Sequence, residues 1–124
     1  VVAVDPADLD ADVAARVKHV KKRLEDAETL DALREPGGRF DAVLCDANAH
    51  PAKMGRALHA LRPYLAAGAT LVLTLKQPSA STKAAAADTG EVEAALAAGG
   101  FRDLRTAWLW ANGRKERTLA ATYT

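Results

Sequence analysis

Three apolar segments of the sequence each end in a polar residue whose side chain could take part in chemistry. VVAV is followed by Asp5, FDAVLC by Asp46 and TLVLTL by Lys76. In open parallel sheets, ligands bind outside the carboxyl ends of the strands. If the three segments are parallel strands of one sheet, two carboxylates and an amine face a common crevice, where they could hold a ligand and position a proton.

Each of these residues also has a structural explanation. Asp5 could accept hydrogen bonds from two ribose hydroxyls, but it could equally be a turn acid or a helix N-cap. Asp46 could cap the helix that begins near Ala52, although Asn48 is the nearer candidate. Lys76 is harder to explain in this way, because a lysine that ends a buried strand must find solvent, a carboxylate or a ligand.

The elements that must position these residues alternate between strand and helix. The apolar patterning predicts strands over 1–4, 40–45, 70–75, 101–110 and 118–123, and helices over 52–65 and 90–98. Residues 77–88 are polar and alanine-rich, which indicates a loop. Asn112-Gly113 is a strong hairpin signal between the last two strands. This order implies a doubly wound, mostly parallel α/β sheet with a C-terminal antiparallel hairpin.

The segment over residues 8–33 allows two interpretations. Its apolar residues recur every three or four positions, which is typical of one amphipathic helix: Val13, Val17, Val20, Leu24, Ala27 and Leu30. The alternative is a helix over 9–16, a short strand over 17–21 and a second helix over 27–33. Periodicity alone favours the single helix.

Composition is ordinary for a single globular domain of 124 residues. The net charge of +1 neither demands nor excludes a nucleic-acid partner. Cys45 is the single cysteine, so an internal disulfide is impossible and an intracellular, reducing compartment is expected. The three histidines have no metal-ligand spacing with Cys45, and no apolar run is long enough for a membrane span, so neither a metal nor a membrane partner is expected.

Four blocks of the sequence, in order, resemble the successive blocks of class I, Rossmann-like S-adenosylmethionine-dependent methyltransferases. These are VVAVDP, GRFDAVLCDANAHP, ALRPYLAAGATLVLTLK and GGFRDLRTAWLWANGRKERTLAATY. Within that class, the pairing of Asp46 with Lys76 is similar to the FtsJ-like ribosomal RNA ribose 2′-O-methyltransferases. The branch that methylates a cytidine of large-subunit ribosomal RNA also has Pro-Ala-Lys after the aspartate, as in Pro51-Ala52-Lys53.

The resemblance implies a reaction and the residues that perform it. The family uses a Lys-Asp-Lys-Glu tetrad, in which Asp46 matches the aspartate, Lys76 the second lysine and Glu116 the glutamate. S-adenosylmethionine is then the methyl donor, and a ribose 2′-hydroxyl of RNA, ribosomal RNA by this likeness, is the acceptor. Lys76 would orient the hydroxyl oxygen and assist loss of its proton, while the two acids set the position and protonation of the lysine.

The likeness also implies residues that contact the cofactor. Asp5 would hold the ribose, and Asp46 would contribute from the next strand. Arg23 occupies the place where an acid commonly contacts the adenine. The likeness therefore implies that Glu25 or Asp26 makes this contact instead. The resemblance further favours the split interpretation of residues 8–33.

Some parts of the family pattern are missing from this sequence. The family's first strand, its glycine-rich loop and the first lysine of the tetrad have no counterpart, and the sequence opens directly in a strand pattern. We therefore expect residues 1–124 to be a partial methyltransferase domain that binds S-adenosylmethionine weakly or not at all. An N-terminal segment or a partner chain would complete its sheet.

Two other functions compete with the RNA methyltransferase. One is a catalytically silent, methyltransferase-like subunit that has a structural or binding role in a ribonucleoprotein or another large assembly. The other is a methyltransferase with a different acceptor, since the fold hosts many. Basic residues over 18–23 and 114–117 could contact RNA phosphates, although solvated faces explain them as well. Trp108 and Trp110 alternate on the predicted strand, which indicates a core or interface position rather than a base-stacking platform.

Overall fold

The computed structural model of the protein describes residues 1–34, 38–47, 49–76, 82–110, 112 and 116–124, with the backbone alone over 82–88. The chain divides into two compact units, Val1–Gly38 and Arg39–Thr124. Among the described residues, no helix is both long and apolar enough to cross a membrane.

The first unit is a small parallel βαβα unit. Its elements are β1 (Val2–Val4), α1 (Ala11–Ala14), β2 (Lys18–Val20) and α2 (Ala27–Arg34). β1 and β2 pair in parallel, with Val2 opposite Lys18 and Val4 opposite Val20. The split interpretation of residues 8–33 is therefore confirmed, and the single helix is wrong. The backbone at 18–20 exchanges hydrogen bonds with β1, so the strand ladder prevails over the helical periodicity of the side chains.

The second unit contains a four-stranded mixed sheet. Its elements are β3 (Phe40–Cys45), α3 (Pro51–Ala60), a 3₁₀ turn (Arg62–Tyr64), β4 (Leu65–Lys76), α4 (Thr82–Ala98), β5 (Phe101–Ala107) and β6 (Glu116–Tyr123). The strand order is β3-β4-β6-β5. β3 runs parallel to β4, whereas β6 is antiparallel to both β4 and β5. The predicted hairpin is confirmed, and its last strand lies inside the sheet.

One face of this sheet packs against the two helices of the unit. Leu71, Leu73 and Leu75 alternate along β4, and each is at most 1% exposed. Leu119 of β6 lies opposite Leu73 and is equally buried. Burying each such leucine contributes about 1.5–3 kcal/mol relative to exposure. Because side chains alternate, residues at the intervening positions of β4, including Lys76, lie on the opposite face.

Several boundaries differ from the sequence prediction: β4 begins at Leu65 instead of residue 70, β5 ends at Ala107 instead of 110, and β6 begins at Glu116 instead of 118. Two larger differences have physical reasons. The predicted helix over 52–65 ends at Ala60, because Pro63 cannot continue it, and residues 62–64 form a 3₁₀ turn before β4. The predicted loop over 77–88 is wrong where the structure describes it, since α4 begins at Thr82. Residues 84–87 are four consecutive alanines, and alanine is the strongest helix former. Residues 77–81 lie outside the described residues.

The described strands form two hydrogen-bonded sheets. β1 pairs with β2 alone, and β3 has β4 as its single described neighbour. Leu44 on β3 is 80% exposed, which is unusual for a central position of an apolar strand. The predicted α/β fold, with parallel strand pairs and a C-terminal antiparallel hairpin, is therefore confirmed.

Candidate active site

Lys76 and Glu116 face each other at one end of the second sheet. Lys76 is the last residue of β4 and Glu116 the first residue of β6, and the antiparallel register places them directly opposite. The Lys76 Nζ donates a hydrogen bond to Glu116 Oε1 at 2.7 Å. The two side chains are only 23% and 27% exposed. The predicted proximity of these two residues, 40 positions apart in the sequence, is confirmed.

Asp46 joins this pair from the neighbouring parallel strand. It follows β3 directly, and Cys45 lies opposite Leu73, so Asp46 is level with the end of β4. The distance between Lys76 Nζ and Asp46 Oδ1 is 2.9 Å, and Thr74 also hydrogen-bonds the carboxylate. The structure thus brings together the three residues that the sequence predicted as catalytic: Asp46, Lys76 and Glu116. Their roles in a reaction stay a prediction.

The structural explanation of Asp46 as a helix cap is wrong. α3 begins at Pro51, and its N-cap is His50, whose Nδ1 accepts a hydrogen bond from the Ala52 N–H at 3.3 Å. Proline is favoured at this first helical position, because its missing N–H has no partner there. Asn48, the other predicted cap, lies outside the described residues. Asp46 is therefore available to Lys76.

The charges of the three residues fix the protonation state of the site. Hydrogen bonds to Glu116 and Asp46 raise the pKa of Lys76 above its ordinary value. The hydrogen bond from Lys76 lowers the pKa of the Asp46 carboxyl, and this effect exceeds the opposing effect of burial. At neutral pH Lys76 is therefore an ammonium and Asp46 a carboxylate, and with the formal charge of Glu116 the three residues sum to −1. Burial raises the pKa of the Cys45 thiol, which disfavours the reactive thiolate.

This arrangement suits the positioning of a hydroxyl group. A lysine ammonium has three N–H donors, and among the described residues two of them go to Glu116 and Asp46. The third can donate to the oxygen of a bound ligand. With its pKa raised, Lys76 acts as a donor and a positive charge, and it does not take up a proton in this state. The cluster can therefore orient a hydroxyl and stabilise negative charge that develops on its oxygen.

The acids predicted to contact a cofactor belong to the first unit. Asp5 is exposed, and its Oδ1 accepts a hydrogen bond from the Ala7 N–H at 2.8 Å, which is the turn role that the sequence allowed. Asp26 accepts a hydrogen bond from the Arg23 N–H at 3.0 Å, and exposed Glu25 lies in the same turn. These acids follow the carboxyl ends of β1 and β2, as predicted. The hydrogen bonds of the Asp5 and Asp26 carboxylates are made to backbone N–H groups two or three residues away.

These residues fit one part of S-adenosylmethionine better than the other. Exposed carboxylates can accept hydrogen bonds from ribose hydroxyls and an adenine amine. The charged methionine part needs cations and backbone N–H groups, usually from a glycine-rich loop. No such loop occurs in the 124 residues, and the lysines of the first unit have other partners: Lys21 binds Asp8, Lys22 binds Glu28 and Lys18 binds the Ala32 carbonyl. The fit is thus limited to the adenosine part. The described side chains also hold no group of three residues suited to a metal ion.

Comparison by sequence and by structure gives different results. No protein-family model matches the sequence, and no curated protein matches it. Solved structures do match. Fibrillarin of Methanococcus jannaschii, a pre-rRNA processing protein, has a TM-score of 0.69 at 14% identity, over 88% of this chain and 46% of fibrillarin.

Two further structures match almost the whole chain. A Clostridium thermocellum protein named as an rRNA methylase has a TM-score of 0.66 at 11% identity, over 99% of this chain and 72% of its own. A SAM-dependent methyltransferase of Archaeoglobus fulgidus has a TM-score of 0.65 at 12% identity, over 98% and 75%. Identities this low establish the fold alone. The chain has the Rossmann-like fold of class I S-adenosylmethionine-dependent methyltransferases.

Proposed function

We propose that the protein takes part in S-adenosylmethionine-dependent methyl transfer to a ribose 2′-hydroxyl of RNA, as a domain that presents the acceptor. The observation that supports this most strongly is the Lys76 ammonium held between Asp46 and Glu116 at 2.9 and 2.7 Å. The residue types and their order along the chain match three of the four tetrad residues of the FtsJ-like family. The assignment to ribose 2′-O-methylation rests on these three residues and not on the fold.

In the proposed mechanism, Lys76 positions the attacking oxygen. Its third N–H donates to the 2′-oxygen, while Asp46 and Glu116 prevent rotation of the ammonium. When bound, S-adenosylmethionine would supply a methyl group on a positively charged sulfur, which leaves with the electron pair of the C–S bond. The hydroxyl proton would pass to solvent, and Lys76 would stabilise the negative charge left on the 2′-oxygen until that oxygen takes up the methyl group. Most of the acceleration comes from alignment of the reacting atoms, with the lysine charge adding to it.

RNA is favoured as the acceptor by the chemistry of the cluster. A weakly acidic ribose hydroxyl benefits from a fixed cation beside its oxygen, which a strongly nucleophilic amine acceptor does not need. Two of the structural neighbours carry names that refer to ribosomal RNA, the fibrillarin and the Clostridium thermocellum protein. We therefore propose ribosomal RNA as the substrate class, in an intracellular compartment.

A second candidate is a catalytically silent subunit of a ribonucleoprotein. The observation in its favour is the partial fit to the cofactor, since the sequence has no counterpart of the family's glycine-rich loop, which holds the methionine part. In that case the Lys76 cluster is a structural ion-pair network that joins β3, β4 and β6.

An assay of the native protein, together with the segment or partner chain that completes its sheet, separates these two functions. Residues 1–124 alone are expected to show no measurable methyl transfer, because they bind S-adenosylmethionine weakly. Unmodified ribosomal RNA is incubated with saturating, labelled S-adenosylmethionine and then digested to nucleosides, which mass spectrometry identifies. We expect label in a 2′-O-methylnucleoside, and we expect Lys76→Ala to lower the rate by about a hundredfold or more. Lys53→Ala, which removes an exposed lysine of α3, is the matched control and should keep the full rate.

Each alternative has its own outcome in this assay. Label on a base instead of a ribose would contradict the proposed acceptor. If the wild-type protein binds RNA but transfers no label, the silent subunit is favoured. Equal rates for Lys76→Ala and Lys53→Ala would remove Lys76 from the reaction.

A further inference from the structure

An exposed aromatic tip follows β5. Trp108 is 55% exposed, Leu109 47% and Trp110 93%. The sequence predicted that the two tryptophans lie on a strand and in a core or an interface. β5 ends at Ala107, so the strand placement is wrong, and the exposure rules out the core. Adjacent large apolar side chains in solvent mark an interaction site, because hydrating them is unfavourable.

The tip is an ordered turn rather than a frayed strand end. Asn112 Oδ1 accepts a hydrogen bond from the Leu109 N–H at 2.7 Å, and the Asn112 N–H donates to the Leu109 carbonyl at 2.9 Å. Asn112 Nδ2 then donates to Thr118 Oγ1 at 3.1 Å, which fixes the turn to β6. These bonds hold the backbone on either side of Trp110, which lowers the entropy lost when a partner binds.

The tip lies at the same end of the sheet as the Lys76 cluster. Ala107 pairs with Thr118, and Lys76 pairs with Glu116, two residues further along β6. β6 lies between β4 and β5, so the strands that carry Lys76 and the tip are two strand spacings apart, about 10 Å. A polynucleotide with one ribose at Lys76 crosses that distance within a few nucleotides.

The charges around the tip favour a polyanion. The Lys76 cluster has a net charge of −1, so it does not attract phosphates by itself. Of the described arginines of the hairpin, Arg105 and Arg117 lie towards the tip, whereas Arg102 pairs with Thr122 at the other end of the sheet, beside the exposed acid Asp103. Arg105 is exposed and lies two residues before Ala107, next to the tip. Surfaces that bind single-stranded nucleic acid combine basic residues with aromatic side chains in this way.

We propose that Trp108 and Trp110 stack on unpaired bases of the RNA beside the methylated nucleotide, while Arg105 contacts a backbone phosphate. This proposal rests on RNA being the substrate of the proposed function. Stacking on two tryptophans selects single-stranded RNA over a duplex, whose bases are already stacked. The acceptor would therefore be a nucleotide in a loop or another unpaired region.

Intrinsic fluorescence offers a direct test, because Trp108 and Trp110 are the only tryptophans of the sequence. Titration with a single-stranded RNA of about ten nucleotides should quench their emission, whereas a duplex of the same sequence should not. Anisotropy of a labelled RNA gives the Kd of the variants. We expect Trp108→Ala and Trp110→Ala each to raise the Kd about tenfold, which is about 1.4 kcal/mol.

Conservative substitutions and a substitution outside the tip serve as controls. Trp108→Phe and Trp110→Phe should keep most of the affinity, because the ring remains. Val13→Ala removes a similarly exposed apolar side chain from α1, outside the tip, and should leave the Kd unchanged. Unchanged affinity in both Trp→Ala variants would overturn the proposal. So would conversion of a dimer to a monomer by these variants without a change in RNA binding, since the tip would then join two copies of the chain.

The methyl-transfer assay distinguishes this proposal from the function on which it builds. Quenching by single-stranded RNA and weaker binding by the Trp→Ala variants, without methyl transfer by the wild type, would support the tip and contradict the enzyme. Formation of 2′-O-methylnucleoside with the same KM in wild type and both Trp→Ala variants would support the enzyme and overturn the tip.

Discussion

The Lys76 cluster and the acidic turns of the first unit differ in how their side chains are held. Lys76, Asp46 and Glu116 come from three strands and bind one another across the sheet. Asp5 and Asp26 bind backbone N–H groups only two or three residues away. Contacts between distant parts of the chain fix a geometry that the fold itself enforces, whereas local turns leave the carboxylates exposed. The Lys76 cluster, which we propose positions the acceptor, is thus held by the fold, whereas the acids proposed for the cofactor are held by local turns.

The largest expected effect of this difference is weak binding of S-adenosylmethionine. Hydrogen bonds to charged groups contribute about 1.5–3 kcal/mol each, so loss of two or three weakens binding about a thousandfold or more. We expect isothermal titration calorimetry of the 124-residue chain to give a Kd in the millimolar range. Adenosine should bind with about the same Kd as S-adenosylmethionine, because the described residues fit only the adenosine part of the cofactor.

Two results would contradict this difference between the Lys76 cluster and the acidic turns of the first unit. Micromolar binding of S-adenosylmethionine by a monomeric chain would show that the methionine part has a site among these residues. A large preference for S-adenosylmethionine over adenosine would lead to the same conclusion. Asp5→Asn, which keeps the turn but removes the charge, should weaken adenosine binding further if Asp5 holds the ribose.

How well sequence predicted structure also differs between regions. β3 was predicted with its exact bounds, and the Lys76 cluster from the polar residues that end apolar strands, because a short apolar run with a polar residue at its end is visible in the sequence whether or not the strand is buried. The tip at Trp108 was mispredicted. Alternation continues through Trp110, but the Leu109 N–H bonds to the Asn112 side chain instead of a neighbouring strand. Side-chain competition of this kind leaves no periodic signal.

A smaller effect is expected in the dependence of stability on pH. The pKa of Asp46 is lowered in the folded state, so its contribution is present above its unfolded value of about 3.9 and is lost as the pH falls through the folded pKa. The pKa of Lys76 is raised, so its contribution is present below about 10.4 and is lost as the pH rises through the folded pKa. Between those limits the contribution of the cluster is constant.

Thermal unfolding of the wild type and Lys76→Met across this range measures that contribution. We expect a constant difference in Tm between about pH 5 and 9 that shrinks towards both extremes. The free energy involved is about 1 kcal/mol or less, because Asp46 is 74% exposed and water screens the pair. A difference that varies strongly around pH 7 would mean that the cluster titrates there, contrary to the shifts of Lys76 and Asp46.

The smallest effect on stability concerns the open edge of β3. Leu44 is 80% exposed on a strand that has one described neighbour, and such an edge invites pairing with other molecules. Leu44→Lys should change the free energy of unfolding by no more than about 0.5 kcal/mol, since little is buried there, while it lowers aggregation. Leu71→Ala, at 1% exposure on the adjacent strand, is the buried comparison and should cost about 2–5 kcal/mol.

Urea unfolding measures both energies, and light scattering against concentration measures association. If Leu44→Lys destabilised the chain as much as Leu71→Ala, Leu44 would be covered in solution. If scattering stayed the same, the β3 edge would not be the surface through which the chain associates.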